Sequence, residues 1–125
     1  MDKKFYITTP IYYPSAKPHM GHAYSSIIAD FFARFKRMDG FDVQFLTGTD
    51  EHGLKIQRSA EKQNIDPLEF CNQISQTFRD LSKTLNLTNT DFIRTTEVRH
   101  KKTVQHLWNE LEKNDDIYLS KYSGW

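Results

Sequence analysis

One cysteine, Cys71, is present in 125 residues, so neither a disulfide framework nor a cysteine-based zinc site can be built within the chain, and a reducing compartment fits best. Long apolar runs are missing as well. Behind the charged Met1-Asp2-Lys3-Lys4 only Phe5-Tyr6-Ile7 is apolar before threonines and Pro10 intervene, too short for a signal sequence. Nothing approaches the roughly 20 apolar residues of a membrane span. These absences predict a cytoplasmic protein with no membrane partner. Neither sign of charge is in excess: 17 Lys+Arg face 16 Asp+Glu, a net charge of +1. No basic surface is therefore advertised, and any nucleic acid would be held locally or by segments outside this chain. Repeats and low-complexity tracts are lacking. What is abundant is aromatic: nine Phe and six Tyr argue for a packed chain, and the length suits one domain.

Read in order, Lys4 to Thr9 is aromatic and β-branched and stops at Pro10, which predicts a buried strand. A polar loop bracketed by Pro14 and Pro18 follows. From Gly21 to Met38, Ile27, Ile28, Phe31, Phe32 and Phe35 recur at helical spacing and are the expected core stripe; Arg34, Lys36 and Arg37 suit the last turns, and Gly40 the cap. Asp42 to Thr47 predicts a second strand, completing a βαβ unit and hence a parallel pair. Leu54 to Gln63 has high helix propensity, and Asp66-Pro67 marks the start of a further helix with the stripe Cys71, Ile74, Phe78, Leu81 and Leu85. Phe92 to Thr96 predicts a third strand, Thr96 a cap for a last helix carrying Val104, Leu107, Trp108 and Leu111, and Ile117-Tyr118-Leu119 a new extended segment. The fold class is α/β: the first half of a Rossmann-like nucleotide-binding fold, a parallel sheet flanked by helices. Such sheets bind ligands where two halves diverge. Only one half is expected here, so the chain reads as truncated.

Two motifs should share the carboxyl edge of that sheet. In Tyr12 to His22, a loop delivers His19-Met20-Gly21-His22 to a helix start, where backbone N–H groups and the helix dipole favour an anion. Two imidazoles at i and i+3 add donors, and Gly21 leaves room for a ligand to approach. A phosphate site is expected there. In Thr47 to Gly53, the carboxylates Asp50 and Glu51 and the imidazole of His52 follow a strand; a carboxylate beside a phosphate site is a poor neighbour for a triphosphate and a good partner for an ammonium group. The plainer readings are a solvated histidine loop, a turn with a capping aspartate, and Tyr12 and Tyr13 as ordinary core aromatics. Cys71 reads as a small buried hydrophobe, and His100 and His106 carry no expected chemistry.

Thr9-Pro10-Ile11-Tyr12-Tyr13-Pro14, Pro18-His19-Met20-Gly21-His22 and Phe45-Leu46-Thr47-Gly48-Thr49-Asp50-Glu51-His52-Gly53 together resemble the start of the catalytic domain of the methionyl-tRNA synthetases, a family of class I aminoacyl-tRNA synthetases. The likeness runs from about Lys4 to Trp125, and Met20 stands where the family tetrad usually has Ile or Leu. The resemblance implies activation of methionine with ATP and ligation to tRNA(Met). His19 and His22 would stabilise the ATP phosphates as catalytic residues, Gly21 would let adenine lie close to the helix, and Asp50 would receive the methionine ammonium. Ile11, Tyr12 and Tyr13 would border the amino-acid pocket. ATP would arrive with Mg²⁺, no metal site being expected within the chain, and tRNA(Met) would be met only through domains that the chain lacks. Residues 1–125 would then be the amino-terminal half of the catalytic domain, and Tyr122-Ser123-Gly124-Trp125 would mark where the family's connective domain is inserted. Two other readings remain open: a non-catalytic remnant that binds ligands weakly, and a cytidylyltransferase-like nucleotidyltransferase, which also starts a helix with His-x-Gly-His.

Overall fold

The computed structural model describes residues 3–123. The chain divides into two compact units, Met1–Thr95 and Thr96–Trp125. Among the described residues, the first holds three strands and three helices: β1 (Lys4–Thr8), α1 (Met20–Met38), β2 (Asp42–Thr49), α2 (Leu54–Gln63), α3 (Pro67–Thr84) and β3 (Asp91–Arg94). All pairings are parallel and the strand order is β1-β2-β3, with Phe5 opposite Val43 and Thr47 opposite Phe92. This is the expected α/β half-fold, with β2 running two residues further than its sequence suggests.

Alternation along β2 decides what lies where. Val43 and Phe45 point to one face and pack with Ala29 and Ala33 of α1, while Thr49, on the same face, bonds Ser75 of α3 across 3.2 Å. Both helices therefore cover that face. Further core is contributed by Ile56 and Ala60 of α2 against Phe70 and Cys71 of α3, and by Tyr12, Phe78 and Phe92.

Three expectations fail here. The strand Lys4–Thr8 is not buried: it is an edge of the described sheet, its residues alternate between half-buried and exposed, and Tyr6 is 62% exposed. Nor does α1 bury its apolar stripe. Its buried positions are Ala23, Ser26, Ala29, Asp30 and Ala33, because small side chains let the helix axis come close to the sheet, whereas Phe31 on the outward side is 64% exposed. Thirdly, β3 ends at Arg94, not Thr96. The helix boundaries, by contrast, follow local chemistry. Asp66 accepts hydrogen bonds from Leu68 N (2.8 Å) and Glu69 N (3.2 Å) with Pro67 in the first turn of α3, and Asn64 closes α2 in the left-handed region at φ 53°.

The second unit contains α4 (Val98–Lys113). Its N-cap is Glu97 rather than Thr96, and it stops at Asn114, after which Asp115 turns left-handed at φ 60°. Ile117 to Leu119 belong to no strand; with Trp108, Glu112 and Ser120 they line a cavity of about 530 Å³. Gly124 and Trp125 lie outside the described residues.

A candidate functional site at the carboxyl edge of the sheet

Tyr12 joins the two motifs through its backbone. Its N–H donates to Gly48 O and its carbonyl accepts from Asp50 N, both at 2.9 Å, which makes a parallel bridge to Thr49 and brings the histidine loop and the Asp50 loop to one edge. Its side chain goes the other way. The phenol is buried, stacked on Phe78 and meeting His22 edge-on at 4.9 Å between centroids, and its hydroxyl pairs with Ser26 Oγ at 2.8 Å. Tyr12 thus supports His22 from below. Tyr13 is half-buried and donates from its hydroxyl to His52 O at 2.5 Å; Gly53, at φ 113°, is where the chain passes that hydroxyl, which a Cβ would strike. Ile11 is 42% exposed.

His19 and His22 form a reciprocal cap on α1. His19 Nδ1 accepts from Gly21 N and His22 Nδ1 accepts from His19 N, each at 3.0 Å, so two of the donors left over at a helix start are satisfied by imidazoles. A neutral imidazole whose Nδ1 accepts must carry its proton on Nε2. The network therefore assigns both rings as Nε2–H donors. The rings lie 3.9 Å apart between centroids, and His22 is held below its ordinary pKa by burial and by the neighbouring His19. Gly21 has a reason beyond ligand access: a Cβ there would come within 2.9 Å of His19 Cε1, pushing that ring off its cap.

Asp50 is half-buried, and among the described residues its carboxylate engages no protein partner. Glu51 does not join it at the edge. Its side chain is fully inaccessible and turned inward, where it meets Arg94. Sequence reasoning grouped Glu51 with Asp50 and passed over Arg94, although the alternation Thr47, Thr49, Glu51 on the helix-covered face would have separated the two carboxylates. His52 is exposed, with Nε2 3.3 Å from Thr95 O. A cavity of about 400 Å³ beside this loop is lined by Glu51, His52, Gly53, Leu54, Ile56, Gln57 and Pro67, while one of about 550 Å³ lined by Arg79, Lys83 and Asn86 among others contains none of the expected site residues. Among the described residues no group of three or more His, Cys, Asp or Glu is placed to hold a metal ion, and no helix is long and apolar enough to cross a membrane.

The parallel half-sheet with its flanking helices matches the amino-terminal part of a class I synthetase catalytic domain. The family model for tRNA synthetases class I (M) matches residues 5–125, and the chain belongs to the methionyl-tRNA synthetase family. It is 53% identical over 124 residues to the mitochondrial methionine–tRNA ligase of Takifugu rubripes, covering 99% of this chain and 21% of that protein. With the methionine–tRNA ligase of Bacillus subtilis it shares 54% identity, over 97% of this chain and 18% of the relative. A solved structure of Mycobacterium tuberculosis methionyl-tRNA synthetase bound by methionyl-adenylate superposes with a TM-score of 0.94 at 46% identity, covering 98% of this chain and 24% of that one. The chain thus spans about a fifth of the length of these curated relatives.

Proposed function

We propose that this chain supplies the first half of an active site that joins methionine to ATP. In that reaction the methionine carboxylate attacks the α-phosphate, a new C–O–P bond forms, and pyrophosphate leaves with the electrons of the broken P–O bond. No strong base is needed, since the carboxylate is already ionised at neutral pH. The protein's contribution is alignment and stabilisation of charge. His19 and His22 present Nε2–H donors to the phosphates, aided by the start of α1, with Gly21 beneath the adenine; Asp50 takes the methionine ammonium, with Ile11 and Tyr13 at the pocket's border and Tyr12 bordering it through its backbone. Mg²⁺ enters with ATP as part of the substrate. Transfer of the methionyl group to tRNA(Met) belongs to the same reading for a longer polypeptide, as does a cytoplasmic place of work, with residues 1–125 as the amino-terminal half of its catalytic domain.

The observation that carries this reading is the pair of imidazoles whose Nδ1 atoms are spent on backbone caps, leaving two Nε2–H donors side by side at a helix start. Thermal unfolding of the chain with and without a non-hydrolysable methionyl-adenylate analogue tests it, because a ligand that binds only the native state raises the midpoint. An upward shift that His22→Ala abolishes is expected; an unmoved midpoint would sink the reading. Methionine-dependent exchange of pyrophosphate into ATP then separates an active half-site from one that only binds.

A further inference from the structure

We infer that the buried Glu51–Arg94 ion pair is the device that aims Asp50, making Arg94 a positioning residue for the ammonium of the substrate; this rests on the reading of Asp50 given above. Asp50 stands between two residues that are held from inside the fold. On one side is Thr49, fully buried, whose Oγ1 donates to Glu51 Oε1 at 2.8 Å. On the other is Glu51, whose carboxylate receives both prongs of the Arg94 fork, Nε on Oε1 at 2.7 Å and Nη2 on Oε2 at 2.9 Å. Arg94 Nη2 also donates to Asn72 Oδ1 at 2.8 Å, and Glu51 N donates to Thr95 Oγ1 at 2.8 Å. The end of β2, the end of β3 and α3 are thus tied together at one carboxylate.

Because successive residues of an extended chain point to opposite sides, clamping Thr49 and Glu51 inward holds Asp50 outward. The Tyr12 carbonyl holds the Asp50 N–H from the remaining flank. An apolar pair could fill the space of Glu51 and Arg94, and in many proteins such a replacement is neutral or stabilising. It could not fix a plane, since apolar contacts have no direction, whereas a two-pronged arginine–carboxylate pair does. The charge pair is therefore placed for geometry. Its position, one residue from the carboxylate at the ligand edge, says which geometry.

The test compares the unsubstituted 125-residue chain with Arg94→Lys, which keeps the charge and loses the fork, and with the double variant Glu51→Leu, Arg94→Met, which removes the buried charges and keeps the volume. Two readouts are taken: amide hydrogen exchange along the sheet, and calorimetric affinity for methionine and for ATP with Mg²⁺, each alone. Exchange at Asp50, Glu51 and His52 is expected to quicken while β1 and the rest of β2 keep their protection, and methionine affinity to fall about tenfold, in line with the effect of losing a supporting partner behind a ligand-binding group, with ATP affinity little changed. Equal methionine affinity in a folded variant, or unchanged exchange at the loop, would overturn the inference, and so would a parallel loss for both ligands, which would mark the pair as a general brace. An unsubstituted chain that binds no methionine would instead bring down the functional reading and this role with it.

Discussion

Asp30 and Glu51 are both buried carboxylates gripped by arginine and threonine, yet they serve opposite ends of one sheet. Asp30, on α1, accepts from Arg34 Nε on Oδ2 and from Thr88 N and Thr88 Oγ1 on Oδ1, each at 2.6 Å. Arg37 reaches the same threonine at 2.5 Å, and Arg34 also donates to Asn86 O. This network fastens α1 to the turn that leads into β3, near the amino ends of the strands. Glu51 binds its arginine at the carboxyl ends, next to Asp50. The same chemistry is a fold staple at one end and an aiming device at the other. What differs is the neighbour: the residues beside Asp30 face the sheet (Ala29) or solvent (Phe31), while the residue beside Glu51 faces the expected ligand.

The largest expected contrast is in stability. Arg94→Ala takes the guanidinium away from a carboxylate whose side chain is fully inaccessible, leaving its charge uncompensated though still bonded by Thr49 Oγ1, and should cost about 3–5 kcal/mol in urea unfolding. Arg34→Ala should cost only about 1 kcal/mol, because the arginine side chain is 46% exposed and Asp30 keeps its two bonds from Thr88. Equal losses would erase the distinction between the two ends.

The pH dependence sharpens it. Burial pushes the Asp30 carboxyl up, but hydrogen bonds from Arg34 and Thr88 outweigh it and leave the pKa below its ordinary value. The native state then binds fewer protons than the unfolded one, so the contribution of Asp30 is present above about pH 4 and fades as the pH falls below it. Asp30→Asn should remove that part of the acid limb while methionine binding is retained at neutral pH. His22 supplies a second, higher step at the ligand end. Its lowered pKa means that the unfolded chain takes up its proton first, so stability declines as the pH drops below about 6.5, and protonation at Nδ1 also breaks the cap. His22→Gln should flatten that step; an unchanged profile would mean the imidazole is indifferent to folding.

The smallest effect is expected at Phe31, on the outward side of the helix that carries Asp30. With 64% of it exposed, Phe31→Ala should cost under about 1 kcal/mol, against about 3–5 kcal/mol for Phe45→Ala at a site with no exposure. A loss as large as that of Phe45 would show the α1 stripe to be covered in solution.

Much of this was legible beforehand, and the parts that were not share a cause. The βαβ order, the start of α3 at Asp66-Pro67 and the meeting of the His19 and Asp50 loops at one edge could be read from caps, periodicity and the rule that parallel strands point the same way. The α1 stripe misled, because Ile27, Ile28, Phe31, Phe32 and Phe35 are the residues that hydrophobicity picks out, while Ala29 and Ala33 are buried for their small size. Arg94 gave no local sign of its partner, 43 residues away.

By itself, then, the sequence determined the order of the main elements and the chemistry offered at the helix start, since hydrogen bonds between neighbours in the chain set helix caps such as those at His19 and Asp66. Which side of α1 meets the sheet, where Glu51 turns and what aims Asp50 were decided only in the tertiary structure. Burial and ion pairing depend on groups far apart in the chain, and only close packing of the sheet against its helices brings them within reach.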